Sequence, residues 1–129
     1  MYGLGRWGMA TQLTTTRQVF DHHIRALMSG DLEGIVSDYG DHSVLIGPDG
    51  VVRGLKAIRE TFAGYLATLF RPGTYKLEAD TVHVDGEIAF VVWHAHCQAA
   101  DITFAADTFV IRDGKIAVQT FAPKVEPHS

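Results

Sequence analysis

Apolar residues recur with a helical period in the first part of the chain. After Thr14-Thr15-Thr16, whose hydroxyls can cap a helix, they lie three or four residues apart as far as Ser29-Gly30. They are Val19, Phe20, Ile24, Leu27 and Met28. This spacing predicts an amphipathic helix that ends at the glycine. Asp31 can cap a second, short helix that leads toward Tyr39.

A third helical stripe follows Gly54 and is broader than the first. Its apolar members are Leu55, Ile58, Phe62, Tyr65, Leu66 and Leu69. The helix ends at Arg71-Pro72-Gly73, because proline cannot continue the helical hydrogen-bond ladder. Between the second and third helices, Ser43–Ile46 predicts a strand and Pro48-Asp49-Gly50 predicts a turn.

The rest of the chain has the pattern of β-structure. Two Asp-Gly pairs, Asp85-Gly86 and Asp113-Gly114, are typical of hairpin turns because these residues tolerate positive φ. A third connection is expected at Ala99–Asp101. The four predicted strands cover residues 75–84, 87–98, 102–112 and 115–122. Helices followed by a β-meander predict an α+β domain, in which a curved antiparallel sheet and the helices enclose one pocket.

Both faces of the later strands are apolar. In residues 88–97, Trp93 belongs to one apolar face, while Phe90 and Val92 belong to the other. An antiparallel sheet with one solvated face alternates apolar and polar residues, so here both faces need a cover. The helices can cover the concave face, and a second copy of the chain is the simplest cover for the other. We therefore expect a homodimer through the sheet.

The composition is that of one soluble globular domain. Of 129 residues, 47% are hydrophobic and 20% charged, and the formal net charge is −4. No nucleic-acid partner is expected without a basic patch, and no membrane partner without an apolar run of roughly 20 residues. The lone Cys97 excludes an intrachain disulfide and favours a cytoplasmic location. The expected domain covers residues 13–123, between a flexible tail at 1–12 and a C-terminal tail at 124–129.

Polar residues on apolar surfaces are the candidates for chemistry. His23 lies on the apolar stripe of the first helix, and Asp107 lies among apolar neighbours in the third strand of the meander. His94 and His96 share one face of the strand before it. An unpaired buried carboxylate would cost several kcal/mol, so Asp107 needs a partner or a proton. The short connection near residue 100 predicts that Asp107 faces His94 or His96 as an acid–base pair.

Each of these residues also has a simpler interpretation. A single histidine such as His23 is more often a hydrogen-bonded structural residue, and His94 and His96 can instead point outward into the dimer interface. The pair His94-x-His96 can also bind a metal with His23 or Asp107, although it lacks the cysteines or second His/Glu pair of specific zinc motifs. The residues expected to be solvated, caps or turn residues are His22, His42, His83, His128, Asp31, Glu33, Asp38 and Asp41.

Three segments resemble the nuclear transport factor 2-like (NTF2-like) superfamily. They are Ser29–Val36, then Gly47-Pro48 with Arg53–Arg59, and finally Asp107–Ile116. The similarity covers residues 14–122, and members near this pattern include the SnoaL-like polyketide cyclases and ketosteroid isomerase. It implies a cone-shaped sheet wrapped on helices, usually dimeric through the sheet. The fold hosts isomerases, dehydratases, cyclases, hydrolases and non-enzymatic modules, so the resemblance alone does not determine the activity.

The resemblance to ketosteroid isomerase can be followed residue by residue. It implies that Asp107 occupies the place of the protonated carboxyl that helps to hold the enolate oxygen. His23 falls at the oxyanion-binding tyrosine, and Gly47 falls at the general-base aspartate. The implied catalytic residues are His94, His96, Asp107 and His23. The resemblance turns both strand histidines into the pocket, and one of them is the base. The expected substrate-binding residues are Tyr39, Phe62, Tyr65, Val92, Phe109, Gln119 and Phe121.

Two classes of function follow from these features. The leading hypothesis is a cofactor-independent isomerase, lyase or cyclase that uses His/Asp acid–base chemistry on a small hydrophobic carbonyl compound. The alternative is a non-catalytic ligand-binding or dimerisation module that uses the same pocket. A metal-dependent enzyme that uses the His-x-His pair is a third possibility. The ordinary ketosteroid isomerase mechanism is not expected, because Gly47 has no group that can remove a proton.

Overall fold

The computed structural model describes residues 15–128, in which helices and strands alternate at first and strands alone follow. The helices are α1 (Thr16–Ser29), α2 (Leu32–Val36) and α3 (Leu55–Ala67). The strands are β1 (Tyr39–Gly47), β2 (Gly50–Arg53), β3 (Lys76–Asp85), β4 (Ile88–His96), β5 (Ala100–Arg112) and β6 (Lys115–Pro127). This order confirms the predicted α+β class. The tail expected at residues 1–12 lies outside the described residues.

Helix α1 begins and ends where its sequence pattern predicts. Thr15 is the N-cap, and its side chain accepts a hydrogen bond from the N–H of Gln18 in a capping box. Gly30 ends the helix with a φ of 67°, and its N–H bonds back to the last turn. A Cβ at this position would lie 2.8 Å from Cγ of Pro72. The glycine therefore allows α1 to end close against the segment that follows α3.

The six strands form one curved sheet in the order β2-β1-β6-β5-β4-β3. Strand β1 runs parallel to β6, and the other neighbouring strands are antiparallel. The two Asp-Gly pairs make the predicted turns, with positive φ at Gly86, Asp113 and Gly114. Bulges interrupt the register of β3 with β4, β4 with β5, and β5 with β6. Because a bulge bends and twists its strand, these irregularities curve the sheet around the helices.

The hydrophobic core lies between the helices and the concave face of the sheet. Alternate residues of β4 and β5 are buried there: Ala89, Val91, Trp93, Ala95, Ala105, Asp107, Phe109 and Ile111. The residues between them point to the outer face and are more exposed. The polar member of the buried set is Asp107, so the sheet itself carries a carboxyl group into the core.

Strand β6 is longer than the sequence pattern predicts. It continues to Pro127, which pairs with Ala100, and Lys124 pairs with Phe104. Residues 124–127, expected to form part of a C-terminal tail, therefore belong to the sheet. Strand β5 begins at Ala100, and the extension of β6 supplies hydrogen-bond partners to its first residues.

Among residues 15–128, no helix is long and apolar enough to cross a membrane. Cys97 is a free, buried thiol. The cytoplasmic location and the absence of a nucleic-acid partner stay predictions.

Candidate functional site

A small pocket lies between the helices and the concave face of the sheet. Its volume is about 40 Å³, several times the minimum that one buried water molecule needs. Most of its lining side chains are aliphatic or aromatic. Asp107 adds a carboxyl group to the lining, and Gln119 adds an amide. We call this space the inner pocket.

A wider cleft lies over the inner pocket and opens to solvent. Its volume is about 630 Å³, within the range of sites that hold a drug-sized molecule. The turn between β1 and β2 and the end of β6 form its rim. Leu45, Tyr65, Phe70 and Phe121 line both spaces, so these four side chains form the wall between the outer cleft and the inner pocket.

Asp107 lines the inner pocket, and each of its two carboxylate oxygens accepts a hydrogen bond. Oδ1 accepts a hydrogen bond of 2.9 Å from Nε1 of Trp93, and Oδ2 accepts one of 2.9 Å from Nε2 of Gln119. Only 5% of the residue is exposed. Burial raises the pKa of Asp107 to about 6, because the charged form loses its hydration, and the two hydrogen bonds partly oppose this rise.

A series of polar contacts continues from Asp107 toward the protein surface, with one gap between His23 and Asp38. Oε1 of Gln119 accepts from the Tyr39 hydroxyl, which lies 3.5 Å from Nε2 of His23. Nδ1 of His23 lies 3.6 Å from Oδ2 of Asp38, beyond hydrogen-bond distance. Asp38 in turn lies 2.8 Å from Nδ1 of His22, whose side chain is partly exposed. The buried network, as we call it, comprises Trp93, Asp107, Gln119, Tyr39, His23, Asp38 and His22.

The orientation of the Gln119 amide determines where the protons lie in this network. Because Tyr39 donates its one hydroxyl hydrogen to Gln119, the Tyr39 oxygen is left to accept from Nε2–H of His23. A neutral His23 then carries no hydrogen on Nδ1, which is left as a buried acceptor without a donor among the described residues. Burial, followed by the charges of Asp107 and Asp38, raises the pKa of Tyr39 well above its usual value. Tyr39 is therefore a hydrogen-bond donor.

A family model described as the SnoaL-like domain matches residues 20–119. The chain belongs to this SnoaL-like family. The matched segment runs from α1 into β6 and contains all seven residues of the buried network. Among curated proteins, none matches the chain significantly.

Solved structures share the fold of this SnoaL-like domain at low sequence identity. An NTF2-like protein of unknown function from Burkholderia xenovorans superposes with a TM-score of 0.72 at 14% identity, over 88% of this chain and 85% of that chain. A candidate ketosteroid isomerase from Kribbella flavida gives 0.72 at 16% identity, over 86% and 80%. A candidate polyketide cyclase from Sinorhizobium meliloti gives 0.69 at 18% identity, over 80% and 92%. These similarities confirm the NTF2-like fold.

The SnoaL-like domain brings part of the expected site together. Phe62, Tyr65, Gln119 and Phe121 line the inner pocket beside Asp107. Tyr39, Phe109 and His23 lie deeper in the core, where the His23 ring packs edge-on against both aromatic rings. His23 is fully buried and does not line either space. It therefore contacts the site indirectly, through Tyr39 and through its edge-on packing against Phe62.

The expectation that His94 and His96 face the pocket is wrong, as it is for Val92. All three lie on the outer face of β4. Nδ1 of His94 lies 2.8 Å from Oδ2 of Asp80, and this hydrogen bond raises the pKa of the imidazole. His96 is exposed, with its Nδ1 2.6 Å from Oδ1 of Asp101. Neither histidine can reach a molecule in the inner pocket.

The reason is that successive side chains of β4 point to opposite faces of the sheet, and this alternation does not determine which face is buried. Both faces are apolar near Trp93, so the choice depends on what covers each of them. The helices cover the face of Trp93, where the indole is buried and its N–H finds an acceptor in Asp107. His94, the next residue, is then directed outward.

The register predicted for Asp107 is also wrong. Its partner on β4 is Val91, and neither His94 nor His96. The connection lies two residues earlier than expected, at residues 97–99, where the N–H of Cys97 donates a hydrogen bond of 3.1 Å to the carbonyl of Ala100. A bulge beyond this turn then shifts the pairing again.

Asp38 is a member of the network that the sequence pattern did not indicate. It was expected to be a turn or cap residue, yet it is buried between His22 and His23. These contacts join α1 to the connection between α2 and β1, and His22 and Asp38 are sixteen positions apart in the sequence. No local period marks them, so this residue has no signal in the sequence.

The expected metal set does not fit the structure. His94 and His96 lie on the outer face of the sheet, whereas His23 and Asp107 lie in the core on the other side. Side chains on opposite faces of a sheet cannot bind the same ion. The metal-dependent alternative is therefore wrong in that form.

Proposed function

We propose that this SnoaL-like domain is a cofactor-independent isomerase, lyase or cyclase that acts on a hydrophobic carbonyl compound, with Asp107 as its acid–base group. The observation that carries the proposal is a buried carboxyl group with a pKa of about 6 at the end of an apolar pocket. A group that removes and returns a proton works best when its pKa lies near the working pH.

The hydrogen bonds of Asp107 support a base and not a protonated donor. Both partners, Trp93 and Gln119, offer N–H groups, and both lower the pKa of the carboxyl group. They therefore stabilise the ionised form that can accept a proton. In the resemblance to ketosteroid isomerase this position carries a protonated carboxyl and a separate aspartate is the base. Here Gly47 occupies the place of that base, and the function of base passes to Asp107.

Tyr65 is the proposed donor to the substrate oxygen. It lines both the outer cleft and the inner pocket. Burial raises the pKa of its hydroxyl, and the charges of Asp49 and Asp107 raise it further. The hydroxyl therefore stays protonated and can donate a hydrogen bond to an oxygen that becomes negatively charged.

The reaction follows from these two groups. The body of a flat, hydrophobic substrate occupies the outer cleft, and its reacting end passes the four-residue wall into the inner pocket. Asp107 takes a proton from the carbon next to the carbonyl, and the electron pair of that C–H bond forms an enolate whose oxygen Tyr65 holds. Asp107 returns the proton to another carbon in an isomerisation. In a lyase the enolate expels a leaving group, which takes the proton from Asp107. In a cyclase the enolate carbon attacks a second carbonyl, whose oxygen takes that proton and becomes a hydroxyl.

The experiment that tests this proposal is hydrogen exchange on the substrate. The full chain is incubated in D₂O with a panel of flat, hydrophobic ketones, and mass spectrometry follows the exchange of hydrogen next to the carbonyl. We expect saturable exchange at least about 100-fold faster than in buffer, because a positioned base contributes roughly that much or more. Ketones that bind saturably without faster exchange would contradict the enzymatic proposal.

The second candidate is a non-catalytic ligand-binding module. The observation that favours it is the difference in size between the two spaces, about 630 Å³ for the outer cleft and about 40 Å³ for the inner pocket. A ligand that fills the cleft alone stays beyond the wall and does not reach Asp107. Retention of a hydrophobic compound through purification, with no exchange or turnover, supports this module.

The proposed partner is a second copy of the chain on the outer face of the sheet. That face exposes Phe104 to 52% and Ile88 to 40%. We expect a dimer in sedimentation velocity, and Phe104→Asp should weaken it at least tenfold because a charge would be buried against apolar surface. Met28→Asp, on an exposed part of α1, is the matched control and should stay dimeric. A monomeric wild-type chain at micromolar concentration contradicts the assembly.

A further inference from the structure

Two histidines and one aspartate converge at the end of the sheet, apart from the inner pocket. Nδ1 of His96 lies 2.6 Å from Oδ1 of Asp101, and Nε2 of His128 lies 3.0 Å from the same oxygen. The three candidate ligand atoms all lie within 4.8 Å of one another. The proposed reaction uses none of these residues.

Three strands hold this cluster in place. His96 ends β4 and pairs directly with Asp101 near the start of β5. His128 follows β6, and its N–H donates a hydrogen bond of 3.1 Å to the carbonyl of Ala99. The two imidazole rings are stacked, with their centroids 5.4 Å apart. The backbone therefore presents both rings to one carboxylate.

We propose that His96, Asp101 and His128 form a Zn²⁺ site. Two imidazole nitrogens and a carboxylate oxygen are a donor set that zinc prefers, and the fourth position of a tetrahedral ion stays open to water. Zinc ligands at about 2.0–2.2 Å from the ion lie somewhat more than 3 Å apart. The contact of His96 with Oδ1 needs to lengthen by about 0.8 Å and that of His128 by about 0.4 Å. These side chains are at least partly exposed and can rotate by that amount.

The convergence of two rings on one carboxylate oxygen is the arrangement that a metal site needs. Both histidines direct a nitrogen at the same oxygen atom, and their rings are stacked on each other. A cation placed among the three ligand atoms would be bound by one nitrogen of each ring and by the carboxylate oxygen.

Nearby charged groups do not compete for the position. Glu126 pairs with Asp101 in the register of β5 and β6, but its carboxylate lies 3.3 Å from the ammonium group of Lys124. Lys76, opposite His96 on β3, lies 3.4 Å from Glu78. An ion bound by these three residues would connect the end of β6 to the ends of β4 and β5 beside their connection. Residues 124–129, which include His128, were expected to form a C-terminal tail.

The test is zinc binding by the full chain after dialysis against a chelator. Competition with a chromophoric zinc indicator should give one Zn²⁺ per chain. His96→Ala, His128→Ala and Asp101→Asn should each weaken binding at least tenfold, because each removes one of three ligands. His83→Ala is the matched control, since His83 is an exposed strand histidine that stacks on Phe90. Its affinity should equal that of the wild type.

A second measurement separates coordination from loose attraction of a cation. Co²⁺ in a tetrahedral site gives visible absorption bands, which the wild type should show and the three variants should lose. Hydrogen exchange at residues 124–128 should slow when Zn²⁺ is added to the wild type. Circular dichroism spectra of all four variants should match that of the wild type, which shows that the variants are folded. The site is overturned if the wild type shows no saturable binding, or if the ligand variants bind zinc as well as His83→Ala does.

Discussion

We expect Asp107→Asn to lower turnover and α-hydrogen exchange by about 10²- to 10⁴-fold, the range that a general acid–base group contributes. The asparagine keeps the shape of the side chain and cannot accept the substrate proton. In the wild type, kcat/KM should rise with pH through about 6, because the carboxyl group must be ionised to act as the base. The variant should lose this rise.

The same substitution should reverse the hydrogen bonds of the buried network. The new amide accepts from Trp93 and turns its NH₂ group toward Gln119, whose amide must then rotate so that its oxygen accepts. The Tyr39 oxygen then accepts a hydrogen bond from the Gln119 N–H, and the Tyr39 hydroxyl donates its own hydrogen bond to Nε2 of His23. Nitrogen NMR should show the His23 hydrogen move from Nε2 to Nδ1, next to Asp38.

The matched control is His94→Ala, which removes the strand histidine first expected to be the base. Its ring lies on the outer face and bonds to Asp80, so turnover should stay within about twofold of the wild type. Loss of turnover in His94→Ala with activity retained in Asp107→Asn would place the base outside the inner pocket. That outcome contradicts the proposed mechanism.

The second large effect concerns stability. The pKa of Asp107 rises from 3.8 in the unfolded chain to about 6 in the folded chain, so the folded state binds the proton more tightly. The contribution of Asp107 to the free energy of unfolding is therefore fully present only below its unfolded pKa of 3.8. It is lost as the pH rises through about 6. The ionised carboxylate then costs the folded state about 3 kcal/mol. Asp107→Asn cannot ionise and escapes this cost.

Urea unfolding of the wild type and of Asp107→Asn at pH 4, 5, 6 and 7 measures the effect. The free energy of unfolding of the variant, relative to the wild type, should increase by roughly 2 kcal/mol between pH 4 and pH 7. The difference at pH 4 is the reference point, because the folded Asp107 is still protonated there and most of the loss of its stabilising contribution occurs between pH 4 and pH 6. A difference that does not vary with pH would show that Asp107 is not a buried titrating group.

These two predictions have opposite signs for the same residue. A side chain that destabilises the fold above pH 6 is retained in the core, at the end of the pocket. Such a trade of stability for chemistry is common at active sites. The combination of lost activity and gained stability is what distinguishes an acid–base residue from a structural carboxylate, whose removal would lower stability.

Local features of this protein follow from its sequence. Thr15 and Gly30 mark the ends of α1, and the two Asp-Gly pairs mark two turns of the meander, because caps and tight turns depend on residues next to one another. His23 and Asp107 were expected inside, since a strand or helix that buries its apolar neighbours on one face also buries a polar residue on that face.

Only the tertiary structure decided which face of β4 is the inner one. Both faces of that strand are apolar, so the helices that pack on Trp93 determine that His94 and His96 point outward. The tight turn at Cys97–Ala100 and the bulge beyond it determine the partner of Asp107, and the extension of β6 brings His128 to Asp101. Periodicity along a chain reports on neighbours a few residues apart. Contacts such as Tyr39 with Gln119, eighty residues apart, depend on how whole elements pack, and no local pattern carries that information.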